Sequence, residues 1–144
     1  MLFGKRKRIV KRILVVEDEP LTAFDNENML GEAGYEVVAT LDSFEDAIAQ
    51  LDRDEVDLIL SDYRLQGERT GLDLARAAKN RGVPILFATG HELPPESHEL
   101  ALGCIMKPYN DRTLKQALES IDRRLAGEEA KPPKGLELFG ESES

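Results

Sequence analysis

The chain has 144 residues, of which 41% are hydrophobic and 33% charged, and its formal net charge is -9. That length predicts one domain, and that composition is typical of a folded, soluble protein and excludes a largely disordered one. The single cysteine, Cys104, excludes an internal disulfide and a multi-cysteine zinc site. The longest aliphatic run, residues 13–16, is too short to cross a membrane, and the basic N-terminus lacks the apolar stretch of a signal peptide. We therefore expect a cytoplasmic protein.

Basic residues concentrate at the N-terminus of an otherwise acidic chain. The basic residues among the first twelve are Lys5, Arg6, Lys7, Arg8, Lys11 and Arg12. An acidic domain is a poor binder of nucleic acid, so we expect no specific DNA binding. The basic arm, residues 1–10, is either a solvated terminus or an adaptor segment that touches phosphates or anionic lipid.

Short aliphatic runs alternate with amphipathic segments along the chain. The aliphatic runs predict five strands, at residues 13–16, 35–40, 56–61, 85–88 and 104–106. The first helix follows Pro20 and ends near Gly34, the second follows an N-cap at Ser43, and the third covers residues 72–81. Two prolines confine the fourth helix to a short one after Pro95. An apolar stripe predicts the fifth helix, at Leu114, Ala117, Leu118, Ile121 and Leu125.

This alternation predicts a doubly wound α/β fold, a parallel sheet with helices on both faces. Right-handed crossovers favour the five-stranded, flavodoxin-like order 2-1-3-4-5. The predicted domain covers residues 11–126, and residues 127–144 are predicted to form a flexible tail. The tail nevertheless contains the apolar Leu136, Leu138 and Phe139, which are available to dock on the domain or on a partner.

Polar residues follow four of the predicted strands. Glu17 and Asp18 come after the first strand, Asp62 after the third, Thr89 after the fourth and Lys107 after the fifth. Because ligands bind at the carboxyl ends of the strands in an open α/β sheet, these side chains should converge. Carboxylates so close together stay ionised only with a cation, and oxygen ligands favour Mg²⁺. Beside Mg²⁺, an aspartate can act as a nucleophile toward phosphorus, with Lys107 and Thr89 contacting phosphoryl oxygens.

Other chemistry that α/β folds support lacks its motif in this sequence. The first strand is followed by Glu-Asp-Glu-Pro, which would repel a pyrophosphate, where a dinucleotide site needs a glycine-rich turn. No P-loop and no Ser-His-Asp arrangement is apparent. The two histidines, His91 and His98, are interpreted as surface residues.

The motifs resemble the receiver domain of response regulators, of the stand-alone CheY-like kind, over residues 11–126. The runs that carry the resemblance are Val15-Val16-Glu17-Asp18-Glu19-Pro20, Leu58-Ile59-Leu60-Ser61-Asp62-Tyr63-Arg64-Leu65, Thr89 and Lys107-Pro108-Tyr109. The resemblance implies a single-domain response regulator of two-component signalling without an output domain. Asp62 would accept a phosphoryl group from a sensor histidine kinase or a histidine phosphotransferase. Such a protein is not an enzyme beyond catalysing its own phosphorylation and slow dephosphorylation.

The resemblance also implies the ligands of a Mg²⁺ ion. Asp18 would bind the ion directly, and Glu17 would do so directly or through water. The phosphoacceptor Asp62 and the backbone carbonyl of Arg64 would complete the protein ligands.

The remaining implied roles belong to residues after the fourth and fifth strands. Lys107 would hold the phosphoryl group, Thr89 would be the switch hydroxyl, and the Lys107–Pro108 bond would be cis. Most receivers carry an aromatic residue three positions before this lysine, where the present sequence has Cys104. The coupling of the switch hydroxyl to an aromatic side chain is therefore altered.

The segment after the fourth strand is similar to the FAT GUY subgroup of receivers, which is found in alphaproteobacteria and linked there to stress signalling. The match is carried by Pro84-Ile85-Leu86-Phe87-Ala88-Thr89-Gly90, whereas Glu92 stands where the subgroup has tyrosine. Two readouts follow from this similarity. A short fourth helix orders, melts or swings on phosphorylation, or the protein is a phosphate sink with no signal of its own.

Two other function classes stand beside the phosphorylated receiver. One is a pseudo-receiver, an interaction module whose acidic residues are unused, which the complete set of acids, hydroxyl and lysine disfavours. The other is an adaptor that acts through the basic arm. By resemblance, a kinase would dock beside the first helix, and a downstream protein target or a second copy in a homodimer would use the face of the fourth helix, fifth strand and fifth helix.

Overall fold

Strands and helices alternate through residues 8–65 and 67–140, the ranges that the computed structural model describes. The strands are β1 (Arg12–Val16), β2 (Glu36–Leu41), β3 (Leu58–Asp62), β4 (Ile85–Thr89), β5 (Gly103–Met106) and β6 (Leu136–Leu138). The helices are α1 (Pro20–Glu32), α2 (Phe44–Arg53), α3 (Gly71–Asn80), α4 (Ser97–Leu100) and α5 (Asp111–Leu125). The five predicted strands and five predicted helices are confirmed, including the short α4. Within these ranges, no helix is both long enough and apolar enough to cross a membrane.

The described strands form one sheet in the order β2-β1-β3-β4-β5-β6. The first five are parallel, which confirms the predicted order 2-1-3-4-5. β6 was not predicted, and it pairs antiparallel with β5. Because the five parallel strands run the same way, the residues that follow them lie along one edge of the sheet.

Helices cover both faces of the sheet and divide the core into two clusters. The first cluster includes Leu30 of α1 and Leu118 of α5, and the second includes Leu74 of α3. Successive residues of β1 enter the two clusters in alternation: Ile13 and Val15 the first, Leu14 and Val16 the second. A strand buried on both faces has this period of two, so the sheet is sandwiched as predicted.

α1 begins directly after the acidic run that follows β1. The Glu19 side chain caps the helix by accepting a hydrogen bond from the backbone N–H of Thr22 at 3.0 Å. Pro20 lies in the first turn, where its missing N–H costs no helical hydrogen bond. The cap therefore fixes the turn in which Glu17 and Asp18 lie.

The C-terminal segment corrects the predicted flexible tail. Residues 136–138 form β6, and the side chains of Leu136 and Phe139 are buried in the first and second clusters, respectively. The prediction of a loose tail is therefore wrong for these residues, which dock on the domain. Without β6, β5 would leave unpaired backbone N–H and C=O groups at the sheet edge, and two apolar side chains would stay in water. Residues 141–144 lie outside the described ranges.

The end of the predicted basic arm packs on the domain. The Arg8 guanidinium lies 4.2 Å from the centre of the Tyr35 ring. The backbone N–H groups of Ile9 and Val10 donate to Asp122 Oδ1 at 2.9 and 2.7 Å. Packing thus extends to Arg8, before the predicted domain boundary at residue 11. Residues 1–7 lie outside the described ranges, and an adaptor role for them stays a prediction.

Candidate functional site

Three carboxylates meet at the carboxyl ends of β1 and β3. Glu17 and Asp18 follow β1, and Asp62 is the last residue of β3. The pairing of Val16 with Ser61 places the two strand ends side by side. Carboxylate oxygens of Glu17, Asp18 and Asp62, hereafter the acidic site, lie within 4.8 Å of one another. The predicted convergence of these side chains is confirmed.

Glu17 is the buried member of the acidic site, with 5% of its surface exposed. Its Oε2 accepts a hydrogen bond from the Glu19 backbone N–H at 3.2 Å, and its Oε1 lies 3.4 Å from Lys107 Nζ. Burial raises the pKa of Glu17, the two contacts offset part of that rise, and the charge of Asp62 adds to it. The ionised form of Glu17 is therefore electrostatically unfavourable, and a bound cation would stabilise it.

Lys107 brings a positive charge to the acidic site. Its Nζ lies 3.4 Å from Glu17 Oε1 and 3.6 Å from Asp62 Oδ2. Its backbone N–H donates to the carbonyl of Thr89 at 2.9 Å, which holds the residue at the end of β4. The Lys107–Pro108 peptide bond is cis, as the resemblance implied. One ammonium group is thus shared by carboxylates from two different strands.

Asp62 presents its two carboxylate oxygens to different neighbours. Oδ1 accepts a long hydrogen bond from the Arg64 backbone N–H at 3.3 Å, whereas Oδ2 faces Lys107. Asp62 is half-buried, and the Arg64 side chain is exposed. The carboxylate is therefore oriented by its neighbours yet reachable from solvent. The Arg64 carbonyl as a metal ligand stays a prediction.

Thr89 is buried at the end of β4, and its hydroxyl takes part in a local turn. Oγ1 donates to the His91 carbonyl and accepts from the His91 backbone N–H, both at 3.1 Å. Hydroxyl side chains commonly form such bonds with nearby backbone. The hydroxyl must leave the His91 carbonyl before it can donate to a group bound at Asp62. The His91 side chain is exposed, as predicted.

The sequence did not predict a hydrogen bond near the acidic site between the half-buried Tyr109 and the buried Asn26. The Tyr109 hydroxyl donates to Asn26 Oδ1 at 2.8 Å, and Asn26 is buried on α1. Burial raises the pKa of Tyr109 to about 12, so the phenol stays protonated and remains a donor. This bond ties the chain just after Lys107 to α1. The signal in the sequence is that Asn26 precedes the buried Leu30 by one helical turn, which puts an amide on the core face.

The acidic site has the donor set of a hard divalent cation. The site holds three carboxylates but one ammonium group, which contacts two of them, and burial of Glu17 makes the excess negative charge unfavourable. The donors are oxygens, and Mg²⁺ takes few protein oxygens while keeping several waters. Asp18 is exposed, so a hydrated ion has access. These residues fit the predicted Mg²⁺.

Comparisons with known proteins identify a family. A profile of the response regulator receiver domain matches residues 13–119. The transcriptional regulatory protein PdtaR of Mycobacterium tuberculosis is 29% identical over 116 residues, covering 77% of this chain and 56% of that protein. The chemotaxis protein CheY of Pseudomonas aeruginosa is 27% identical over 124 residues, covering 81% of this chain and 99% of CheY.

A solved structure supports the same family. The response regulator PhyR from Brucella abortus superposes with a TM-score of 0.68 and 26% identity, over 84% of this chain and 51% of PhyR. The chain thus spans about half the length of PdtaR and of PhyR, and nearly all of CheY. Receiver domains are signalling domains that interact with histidine kinases or phosphotransferases. Because the profile covers most of the chain and the fold and acidic site agree with it, the chain belongs to the response regulator receiver domain family.

Proposed function

We propose that this receiver accepts a phosphoryl group on Asp62 from a histidine kinase or a histidine phosphotransferase, in a reaction that depends on Mg²⁺. One observation carries the proposal. Asp62, half-buried, lies in a cluster of three carboxylates and within 3.6 Å of the Lys107 ammonium. A carboxylate kept reachable beside a cation-binding set and a fixed positive charge is what phosphoryl transfer to an aspartate requires.

In the proposed transfer, an Asp62 carboxylate oxygen attacks phosphorus and forms an acyl phosphate. The bond between phosphorus and the imidazole nitrogen of the phosphohistidine breaks, and its electron pair stays on that nitrogen. A bound Mg²⁺ supplies charge neutralisation for the phosphoryl oxygens. Lys107 Nζ, now shared with Glu17, pairs with one of those oxygens, because the phosphoryl group arrives where Nζ already faces Asp62.

The Thr89 hydroxyl is the proposed readout of phosphorylation. Donation to a phosphoryl oxygen on Asp62 would break its bond to the His91 carbonyl and release the turn that begins the β4–α4 loop. A switch therefore predicts altered exchange of the His91 amide on phosphorylation, whereas a phosphate sink predicts none. The Thr89–His91 turn is the observation that favours the switch. Membership of the FAT GUY subgroup and a role in stress signalling stay predictions.

The surface beside the acidic site suggests where the phosphodonor docks. Leu21 and Phe24 lie one turn apart on α1 and are 72% and 59% exposed. They follow directly on the turn that holds Asp18. Large apolar side chains left in water beside a reaction site are typical of a protein-binding surface, so we assign them to the histidine kinase or phosphotransferase. The encounter would take place in the cytoplasm.

The test is the intact mass of the protein after incubation with acetyl phosphate and Mg²⁺, with and without a chelator. The wild type should gain one phosphoryl group only when metal is present, and Asp62→Asn should gain none. Asp52→Asn is the matched control, since Asp52 is an exposed surface residue paired with Arg81. Label retained by Asp62→Asn would refute the acceptor. No label on the wild type from acetyl phosphate or a phosphorylated kinase would favour the pseudo-receiver.

A further inference from the structure

β6 completes the sheet in a tightly specified register. Gly103 pairs with Leu138, Cys104 with Glu137 and Ile105 with Leu136. The ladder is closed at both ends by backbone hydrogen bonds of 2.8 Å, from Met106 N–H to the Gly135 carbonyl and from Phe139 N–H to the Leu102 carbonyl. The outer edge of β5 is therefore fully engaged by the chain's own C-terminal segment.

Gly103 shapes this edge for a strand. A Cβ at this position would lie 2.2 Å from the Glu137 carbonyl oxygen, and the other nearest atoms are backbone atoms of Glu137 and Leu138. Its closest neighbours thus all belong to β6. Glycine in a strand often marks such a close approach of another backbone. The edge of β5 can accept β6 only because residue 103 has no side chain.

Two apolar side chains anchor the segment on opposite faces of the sheet. Leu136 packs in the first cluster and Phe139 in the second. The Phe139 ring stacks on His98 of α4, with ring centres 4.2 Å apart and planes 13° apart. Arg124 of α5 donates to the Phe139 carbonyl at 2.8 Å. The segment is therefore held by α4, β5 and α5 together.

We propose that the outer edge of β5, with α4 and α5 beside it, is a strand-docking site whose resident ligand is residues 136–139. The partner it fits is an extended protein segment with the pattern apolar–any–apolar–aromatic, added antiparallel to β5. Such strand addition uses main-chain hydrogen bonds for affinity and side-chain pockets for selectivity. Because the resident segment is tethered, its effective concentration is high, and a partner enters only when that segment leaves.

The first test is amide hydrogen exchange of the full-length protein. In Gly103→Ala, the added Cβ should expel β6, and the Phe139 amide should exchange at least about tenfold faster than in the wild type. Gly31→Ala is the control, because a Cβ at Gly31 meets nothing within 4 Å. Phe139→Ala should also speed exchange of residues 136–139, and it keeps the test valid should Gly103→Ala fail to fold. Unchanged protection of that segment in both variants would overturn the proposal.

The second test supplies the ligand in trans. A fluorescent peptide of residues 132–140 should bind full-length Phe139→Ala at least about tenfold more tightly than the wild type, whose site is filled. The same peptide should not bind Gly103→Ala/Phe139→Ala. A peptide with alanine in place of Phe139 should bind neither the wild type nor Phe139→Ala. Equal binding to wild type and Phe139→Ala, or no binding to either, would contradict the docking site. A wild-type dimer that dissociates in Phe139→Ala would contradict the assignment of the strand to its own domain.

Discussion

Two edges of the sheet carry side chains of opposite character. At the carboxyl ends of β1 and β3, three carboxylates lie together, one ammonium group contacts two of them, and the buried Glu17 has a raised pKa. Along the outer edge of β5, backbone groups are paired and apolar side chains are buried. The first region carries excess negative charge, which a bound cation would neutralise. The second is satisfied by the chain itself.

The difference separates what keeps the domain folded from what makes it react. Crowded carboxylates do not stabilise a fold by themselves, since like charges in a partly buried site repel. Paired strands and buried apolar side chains do stabilise it. Changes at the acidic site should therefore alter chemistry more than stability, and changes at the β5–β6 edge should do the reverse.

The largest expected effect is the separation of activity from stability by Asp62→Asn. Phosphorylation should be abolished, because an amide oxygen is a poor nucleophile toward phosphorus. The free energy of unfolding should change by no more than about 1 kcal/mol, since the loss of the Lys107 contact is offset by relief of repulsion with Glu17. Urea denaturation beside the mass assay measures both. A loss of several kcal/mol would break the contrast between the two regions.

Leu136→Ala should have the opposite effect, lowering stability while leaving phosphorylation nearly unchanged. Loss of its buried side chain should lower the free energy of unfolding by about 2 kcal/mol. If the segment detaches before the rest of the domain unfolds, the loss is limited to what its docking contributes. The rate of labelling by acetyl phosphate should stay within about twofold. Leu21→Ala, at an exposed position, is the control for stability, and a slowed labelling of Leu136→Ala would show that the two edges are coupled.

Removal of one carboxylate should weaken the binding of Mg²⁺ at the acidic site. Asp18→Asn should raise the Mg²⁺ dissociation constant by at least about tenfold, because it removes one of the few negative oxygen ligands. Labelling at saturating Mg²⁺ should recover in part. Isothermal titration with Mg²⁺ measures the change, with Asp52→Asn as the control. An unchanged titration would remove Asp18 from the set of ligands.

The docking surface on α1 should distinguish protein donors from small ones. Leu21→Ser/Phe24→Ser should lower the rate of transfer from a phosphorylated histidine kinase or phosphotransferase by about tenfold, because buried apolar anchors dominate such interfaces. Transfer from acetyl phosphate should not change, since that donor needs no docking surface. An equal loss with both donors would show that the variant disturbs the acidic site itself.

The smallest effect is expected at the polar pair behind the acidic site. Tyr109→Phe should cost about 1 kcal/mol, because it leaves the buried Asn26 amide without the phenol. An alkaline titration followed by tyrosine absorbance should lose a step near the pKa of about 12 that burial gives Tyr109. Tyr63→Phe, which removes another phenol, is the matched control. If the step survives in Tyr109→Phe, the raised pKa belongs to another tyrosine.

Local sequence patterns were enough to predict the strand order and the acidic site. Short aliphatic runs, each followed by a helix, leave few ways to build a parallel sheet, and the carboxyl ends of its strands must share an edge. Glu17, Asp18, Asp62 and Lys107 could therefore be placed together before any contact was known. Each of these inferences needs only a local pattern and a rule of chain topology.

Contacts between residues far apart in the sequence could be identified only from the folded structure. The bonds from Tyr109 to Asn26 and from Val10 to Asp122 join residues far apart in sequence, and no local pattern specifies the partner. The docking of residues 136–139 has the same origin. A run of four residues is too short for its sequence to predict a strand. It forms β6 because β5 offers an open edge and because Gly103 has no side chain to block the approach of the segment. The packed neighbourhood, not the run itself, supplies the free energy that orders it.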